Sequence, residues 1–299
     1  MQKIIFVELI IEYMTKKLLT SLLLCASSAL HAANYLTFTA AVDNSSFGLL
    51  DEGENYPFIQ YSLDDGNTWD DMPYNTLILL EHKGDKAMLR GVNPKGFSKG
   101  WQKYTSFVMQ RGAIAASGSV MSLIDGEGYS QDLPASFCFY RLFYACDGLI
   151  QAPELPAISL LTEWCYSDMF CKCTSLTKAP KLPALYLNEG CYAGMFMGCV
   201  NLVEAPELPA SCVKEKSYQM MFQDCGKISK IKVNITQWGE IEPMTVIEEY
   251  REYEDFLIFP YAEDWLKGVS PHGTFICPDG LPDERGDDRI PQGWRIVKN

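Results

Sequence analysis

Histidine is nearly missing from this chain. Three occur in 299 residues, and only His82 and His272 lie beyond the N-terminal leader, in segments of different character. A serine or cysteine nucleophile therefore has no evident imidazole base. The sequence also lacks Gly-x-Ser-x-Gly, a phosphate-binding glycine loop and His-Glu-x-x-His. Zinc would need a paired Cys-x-x-Cys, and the nearest approach is Cys171-Lys172-Cys173. No metal and no cofactor is expected. Positive charge is short as well: 25 Lys and Arg stand against 38 Asp and Glu, a net charge of −13. Nucleic acid demands clustered cations, so it is excluded as a partner, and an anionic membrane surface is disfavoured for the same reason. Beyond the leader no apolar run is long enough to cross a bilayer, so no transmembrane segment is expected in the mature chain. Carboxylates are plentiful. On so acidic a chain they are mostly solvated surface, and a glycosidase-like pair among them is the catalytic reading left open.

What the chain has instead is repetition. A unit of 26 to 27 residues starts at Cys138, Cys165 and Cys191, and a decayed copy starts at Ser217. Four apolar columns recur. Phe143, Phe170, Phe196 and Phe222 form one, and Leu142, Met169, Met195 and Met221 precede it. Leu149, Leu176, Leu202 and Ile228 form the third, and Leu155, Leu182 and Leu208 the fourth. Residues at the period of a stacked repeat lie over one another and share one core, which no single unit could bury alone. The Phe column should anchor it, because aromatic side chains remove the largest area from water. The Ala-Pro-x-Leu-Pro-Ala runs at 152–157, 179–184 and 205–210 are too rich in proline for a helix interior and read as extended stretches. The Tyr/Phe-x-x-Met/Leu-Phe before them reads as one helical or 3₁₀ turn.

The run Met-Phe-x-x-Cys-x-x-Leu-x-x-Ala-Pro-x-Leu-Pro resembles the leucine-rich repeat of BspA-like surface proteins, common in Bacteroides and its relatives. That family's unit is Ala-Phe-x-x-Cys-x-x-Leu-x-x-Ile-x-Ile-Pro; here Ala-Pro stands where its strand-forming Ile-x-Ile would be. The resemblance covers the repeats, and the flanking segments through the 265–294 tail also look like those around such repeats. It implies a solenoid and adhesion to host or microbial surface molecules. Fold alone does not name a partner.

Eleven cysteines are present, ten of them after the leader. Cys138, Cys165 and Cys191 share a column that Ser217 completes; Cys146, Cys173, Cys199 and Cys225 share another. Cys171, Cys212 and Cys277 stand outside both. A disulfide framework suits an exported protein. Yet Cys225 persists where its companion has become Ser217, and an obligatory pair would be lost together. Buried thiols used for packing are the preferred reading.

The rest of the chain divides around the repeats. Residues 1–33 read as an export signal, with Met14 as an alternative start: Lys16 and Lys17, an apolar run over 18–24, then small residues before a cleavage site near Ala32 or Ala33. Cell surface, secretion or the periplasm are the destinations this permits. Residues 34–128 alternate short apolar runs with turn residues (Asp65-Gly66, Lys83-Gly84, Asn93-Pro94), as a small all-β, sandwich-like domain does. Within it, Ser62, Asp64, Gly66, Thr68 and Trp69 fit the Asp-box of sialidase propeller blades, a hairpin turn held by the Asp. Propellers need several copies and only one occurs, so the turn reads as structural. Residues 129–236 carry the repeats. Residues 237–299 begin with an acidic, aromatic stretch, a helical insertion or solvated loop, and end in a short β-rich cap.

The expected architecture is mainly β with short helical turns: a sandwich-like domain, a short leucine-rich-repeat solenoid and a C-terminal cap. The expected function is non-enzymatic presentation of a binding surface to a protein or glycan of a host or neighbouring microbe. The alternatives are a carbohydrate-binding accessory protein or glycoside hydrolase of the cell envelope, and a structural envelope spacer. The candidate partner-binding residues come from the Ala-Pro-x-Leu-Pro row. Glu154, Lys181 and Glu207 occupy its x position; Lys178 and Glu204 lie three residues earlier, with Gln151. On neighbouring extended segments such residues sit side by side, so Lys181 should be flanked by two carboxylates and Lys178 should face Glu204.

Overall fold

Alternating burial builds the first third of the chain into two facing sheets. The computed structural model describes residues 33–211, 213–238, 240–248, 251–259 and 261–299, with backbone alone for 240–259. The expected export signal, Cys25 and Cys212 lie outside the described residues. The fold is mainly β: β1 (Leu36–Ala40), β2 (Ser45–Glu52), β3 (Ile59–Ser62), β4 (Asp70–Asp71), β5 (Leu77–Leu80), β6 (Lys86–Gly91), β7 (Tyr104–Arg111) and β8 (Ile114–Ser117) come first. The short helix α1 (Ser122–Asp125) and β9 (Leu149–Gln151) follow. One sheet has the order β4-β3-β6-β1-β8-β9 and the other β5-β2-β7. Their facing sides meet at Phe38, whose ring lies edge-on to Phe47 and Phe107 at 5.1 and 5.0 Å. Strand β2 was not visible in the sequence pattern. Gly48 interrupts its alternation, and a side chain there would come within 2.7 Å of the Thr76 carbonyl.

From Cys138 onward the copies of the repeat stack on one another and on this pair of sheets. Ring stacking runs from Phe107 of β7 through Phe143, Phe170, Phe196 and Phe222, with centroids 5.4–5.6 Å apart. Phe139, Tyr166, Tyr192 and Tyr218 form a second stack at 5.9–6.4 Å. All the Phe and Tyr residues of both stacks are buried within a single hydrophobic cluster that reaches from Leu36 to Trp294.

The segment before each proline run is neither helix nor strand, and its hydrogen bonds show why. Alternate N–H groups close local turns: Tyr140 to the Phe137 carbonyl, Leu142 to Phe139, Tyr144 to Arg141. The intervening ones reach the next copy: Phe139 to Cys165, Arg141 to Ser167, Phe143 to Met169, at 2.8–3.1 Å. A helical or 3₁₀ turn is replaced by overlapping turns, because every fourth residue is left-handed. Phe137, Arg141 and Ala145 have φ of 59, 57 and 55°. Trp164, Asp168 and Lys172 repeat this, and the third copy places Gly190, Gly194 and Gly198 at the same three positions. Left-handed backbone is costly for non-glycine residues, and the cross-copy bonds are what hold them there.

A further copy lies where a cap was expected. Tyr218, Met220, Phe222 and Asp224 donate to Tyr261, Glu263, Trp265 and Lys267, continuing the same ladder. Trp265 is fully buried and stacks on Tyr218 at 5.9 Å. Between the two copies the acidic stretch forms an antiparallel hairpin, β11 (Glu240–Glu248) with β12 (Arg251–Phe259), rather than a helix or loop. Strands β10 (Lys230–Lys232), β13 (Thr274–Cys277) and β14 (Arg295–Lys298) close this end as a parallel sheet. Among the described residues no helix is long and apolar enough to cross a membrane.

Candidate functional site

The extended segments form a row along one side of the stack, and their pairing is uneven. At its start Glu154 N donates to Gly118 O at 2.9 Å, and Val120 N returns a bond to Glu154 O at 3.4 Å. At its end Leu208 N donates to Lys232 O at 2.9 Å, and Asn234 N returns one to Leu208 O at 3.0 Å. Between these ends lie two junctions, 152–157 against 179–184 and 179–184 against 205–210. Among the described residues the first junction has no backbone bond, and the second has bonds only at its leading edge, Val203 N to Thr177 O at 3.0 Å and Ala179 N to Glu204 O at 3.3 Å. Proline accounts for the missing return bonds. The residue matching Asn234 is Pro183 in one copy and Pro209 in the next, and neither has an N–H to return to Leu155 or Leu182.

Each unpaired junction opens into a groove. One of about 620 Å³ is lined by Gln151, Pro153, Glu154, Leu155, Lys178 and Lys181 among others. The second, about 430 Å³, lies between Lys178, Lys181, Leu182 and Glu204, Pro206, Glu207. All five candidate residues therefore line one groove or the other, and Lys178 and Lys181 line both.

Their charges are not arranged as a simple alternation. Lys178 Nζ lies 3.0 Å from Glu204 Oε2, with both side chains about two-thirds or more exposed (74% and 66%). Glu207 pairs with Lys232 at 3.1 Å. Lys181, expected between Glu154 and Glu207, has no ion pair among the described residues. The segments splay apart at its level, and the pairing of Leu208 with Val233 brings Lys232 beside Glu207 instead.

The other chemically suggestive groups are occupied structurally. Asp64 accepts from Thr68 N and Thr68 Oγ1 at 2.8 and 2.7 Å and from Ser62 Oγ at 2.7 Å; Trp69 Nε1 closes the turn onto Gly66 O at 3.0 Å. The Thr68 amide and hydroxyl, with Ser62, hold its carboxyl down at about 2. Burial pushes Asp125 up, but amides of Glu127, Gly128, Tyr129 and Ser130 reverse this and leave its carboxyl below the ordinary range. The nine described cysteines are free and buried. Cys146, Cys173, Cys199 and Cys225 each place Sγ 3.0–3.1 Å from the carbonyl of Phe107, Phe143, Phe170 and Phe196 respectively. Burial pushes the Cys138 and Cys225 thiols up to about 12 and the others upward too, away from the thiolate that attack or metal binding requires.

One surface feature escaped the sequence reading. Trp101, 49% exposed, packs edge-on against Phe137, Tyr140 and Trp164 at 4.8, 5.1 and 4.6 Å. Gly190 makes room beside it, since a Cβ there would lie 2.1 Å from the Trp164 ring. No sequence motif joins these aromatics; only the stack brings them together. No protein-family model matches the chain, and no curated protein and no solved structure matches it either.

Proposed function

We propose that this chain is an exported, non-enzymatic repeat protein whose proline row is a recognition surface for a protein or glycan on a host or neighbouring microbe. Its architecture is read as a sandwich of two sheets continued by a short solenoid of the BspA-like leucine-rich-repeat kind, whose last copy around Trp265 is closed by the parallel sheet of β10, β13 and β14. The observation that carries the reading is the division of labour within each copy. The Phe, Tyr, Met and Cys columns are buried in the core, whereas Glu154, Lys178, Lys181, Glu204 and Glu207 stand exposed around two grooves. Side chains set at a fixed period on a rigid support are how stacked repeats present a binding surface. The non-enzymatic part draws support from Asp64 and Asp125, which serve as hydrogen-bond acceptors for their own turns, and from thiols kept protonated by burial.

The test is a binding screen of the purified mature protein against extracellular-matrix proteins and a glycan array, with a glycoside-hydrolase assay alongside. The Lys178→Glu/Lys181→Glu variant is expected to stay folded and lose the ligand. Turnover of a glycan would replace this reading with the hydrolase. Binding that survives the double reversal would move the site off the proline row. A folded protein that binds nothing would favour the envelope spacer. The exposed Trp101 surface favours a second reading, carbohydrate binding. Glycan binding abolished by Trp101→Ala but indifferent to the charge reversal would select it.

A further inference from the structure

The two grooves have a feature that a merely charged surface lacks: backbone groups without partners. Along the row, the proline-free segments at either end are bonded into a parallel ladder. In the middle, the N–H groups of Lys181 and Leu182 have no bond among the described residues, and the grooves lie at the two junctions where the rungs are missing. Unpaired backbone beside a groove is what an extended polypeptide recognises, by supplying the missing donors and acceptors. The charges narrow the choice of peptide. Lys178 is engaged by Glu204, and Glu207 by Lys232. Among the described residues Lys181 has no ion pair and lines both grooves; Glu154, also without one, lines the first groove alone, so the second groove holds the uncompensated cation.

Resting on the reading of the proline row as the recognition surface, we infer that the grooves take an extended acidic peptide segment. Its backbone bonds to the Lys181 and Leu182 amides and to the Leu155 and Leu182 carbonyls, which Pro183 and Pro209 leave without a donor, and a carboxylate meets Lys181. The prolines thus serve to keep the ladder from closing. Replacing them by the residue that closes it elsewhere, Asn234, should shut the site.

The experiment uses the whole mature chain and three probes: a fluorescein-labelled nonapeptide alternating Asp and Val, its Lys-Val counterpart, and dextran sulfate. Fluorescence anisotropy is expected to show the Asp peptide binding at least tenfold more tightly than the Lys peptide. Lys181→Glu should reverse that order. Pro183→Asn/Pro209→Asn should weaken Asp-peptide binding at least tenfold while raising the melting temperature. In the parent protein the peptide should slow hydrogen exchange at the Lys181 and Leu182 amides. Equal binding of the two peptides, or no protection of those amides, overturns the inference. So does a folded Pro183→Asn/Pro209→Asn variant that exchanges more slowly across the row yet binds as before. Should dextran sulfate bind while the Asp peptide does not, the peptide is wrong. The surface itself still stands if Lys178→Glu/Lys181→Glu abolishes that binding, and falls with the peptide if it does not.

Discussion

The two sides of the repeat stack are built from the same period of 26 to 27 residues but to opposite ends. On the turn side, successive N–H groups alternate between local turns and the next copy, and aromatic rings stack at 5.4–5.6 Å with nearly parallel planes. On the proline side the rungs are interrupted, the charged side chains face water while Leu182 and Leu208 stay buried, and the segments separate into grooves. The lesson is that a repeat can concentrate its cohesion in half of each copy and leave the other half free to vary. Stability is then expected to be sensitive on one side and nearly indifferent on the other.

Phe196→Ala should test this most severely. Phe196 is fully buried between Phe170 and Phe222, and its loss should cost about 3–5 kcal/mol in a denaturant melt. A negligible loss would show that the turn side does not carry the core. Gly194→Ala should come next, at about 1–3 kcal/mol. Its φ is 61°, and the added Cβ would lie 2.2 Å from Asp168 Oδ1. Cys199→Ala should cost about 1 kcal/mol, the contribution of the thiol–carbonyl contact, while a reductant should leave the melting temperature unchanged. A large fall on reduction would instead indicate a disulfide, which typically contributes about 2–5 kcal/mol. Lys178→Ala on the proline side should change stability by no more than about 1 kcal/mol, and less in high salt, since its pair with Glu204 is exposed.

The paired sheets should respond to acid through Asp64. Its carboxyl titrates at about 2 in the folded protein against an ordinary value of 3.8. The unfolded chain therefore takes up this proton first as pH falls. The stability Asp64 contributes is present above about pH 4 and is lost toward pH 2. Melts across that window should show a shallower slope for Asp64→Ala than for the parent protein. Equal slopes would mean that other carboxylates govern the acid response.

How much could be read in advance depended on whether a residue's role repeats. The columns at Phe143, Phe170, Phe196 and Phe222 were legible because four copies vote for each position. The left-handed positions were signalled only in the third copy, where Gly190, Gly194 and Gly198 fall four residues apart; Arg141, Asp168 and Lys172 disguise them elsewhere. The copy containing Trp265 was hidden, because Trp265, Leu266 and Val269 replace Met, Phe and Cys and a hairpin separates it from its neighbour. The five charged candidates were legible as a row, but not that Glu207 would turn to Lys232 and leave Lys181 with no ion pair among the described residues.

By itself the sequence determined the period, the residues that share a column, the β character of the chain and the places where proline removes a donor. These are local or recurrent properties, written in residue type and spacing. Only the tertiary structure decided where missing donors become grooves, which carboxylates Lys178 and Lys232 engage and how Trp101 meets Phe137 and Trp164. Those outcomes depend on which segments become neighbours across the stack. A proline loses nothing until the carbonyl opposite it has no other donor to meet.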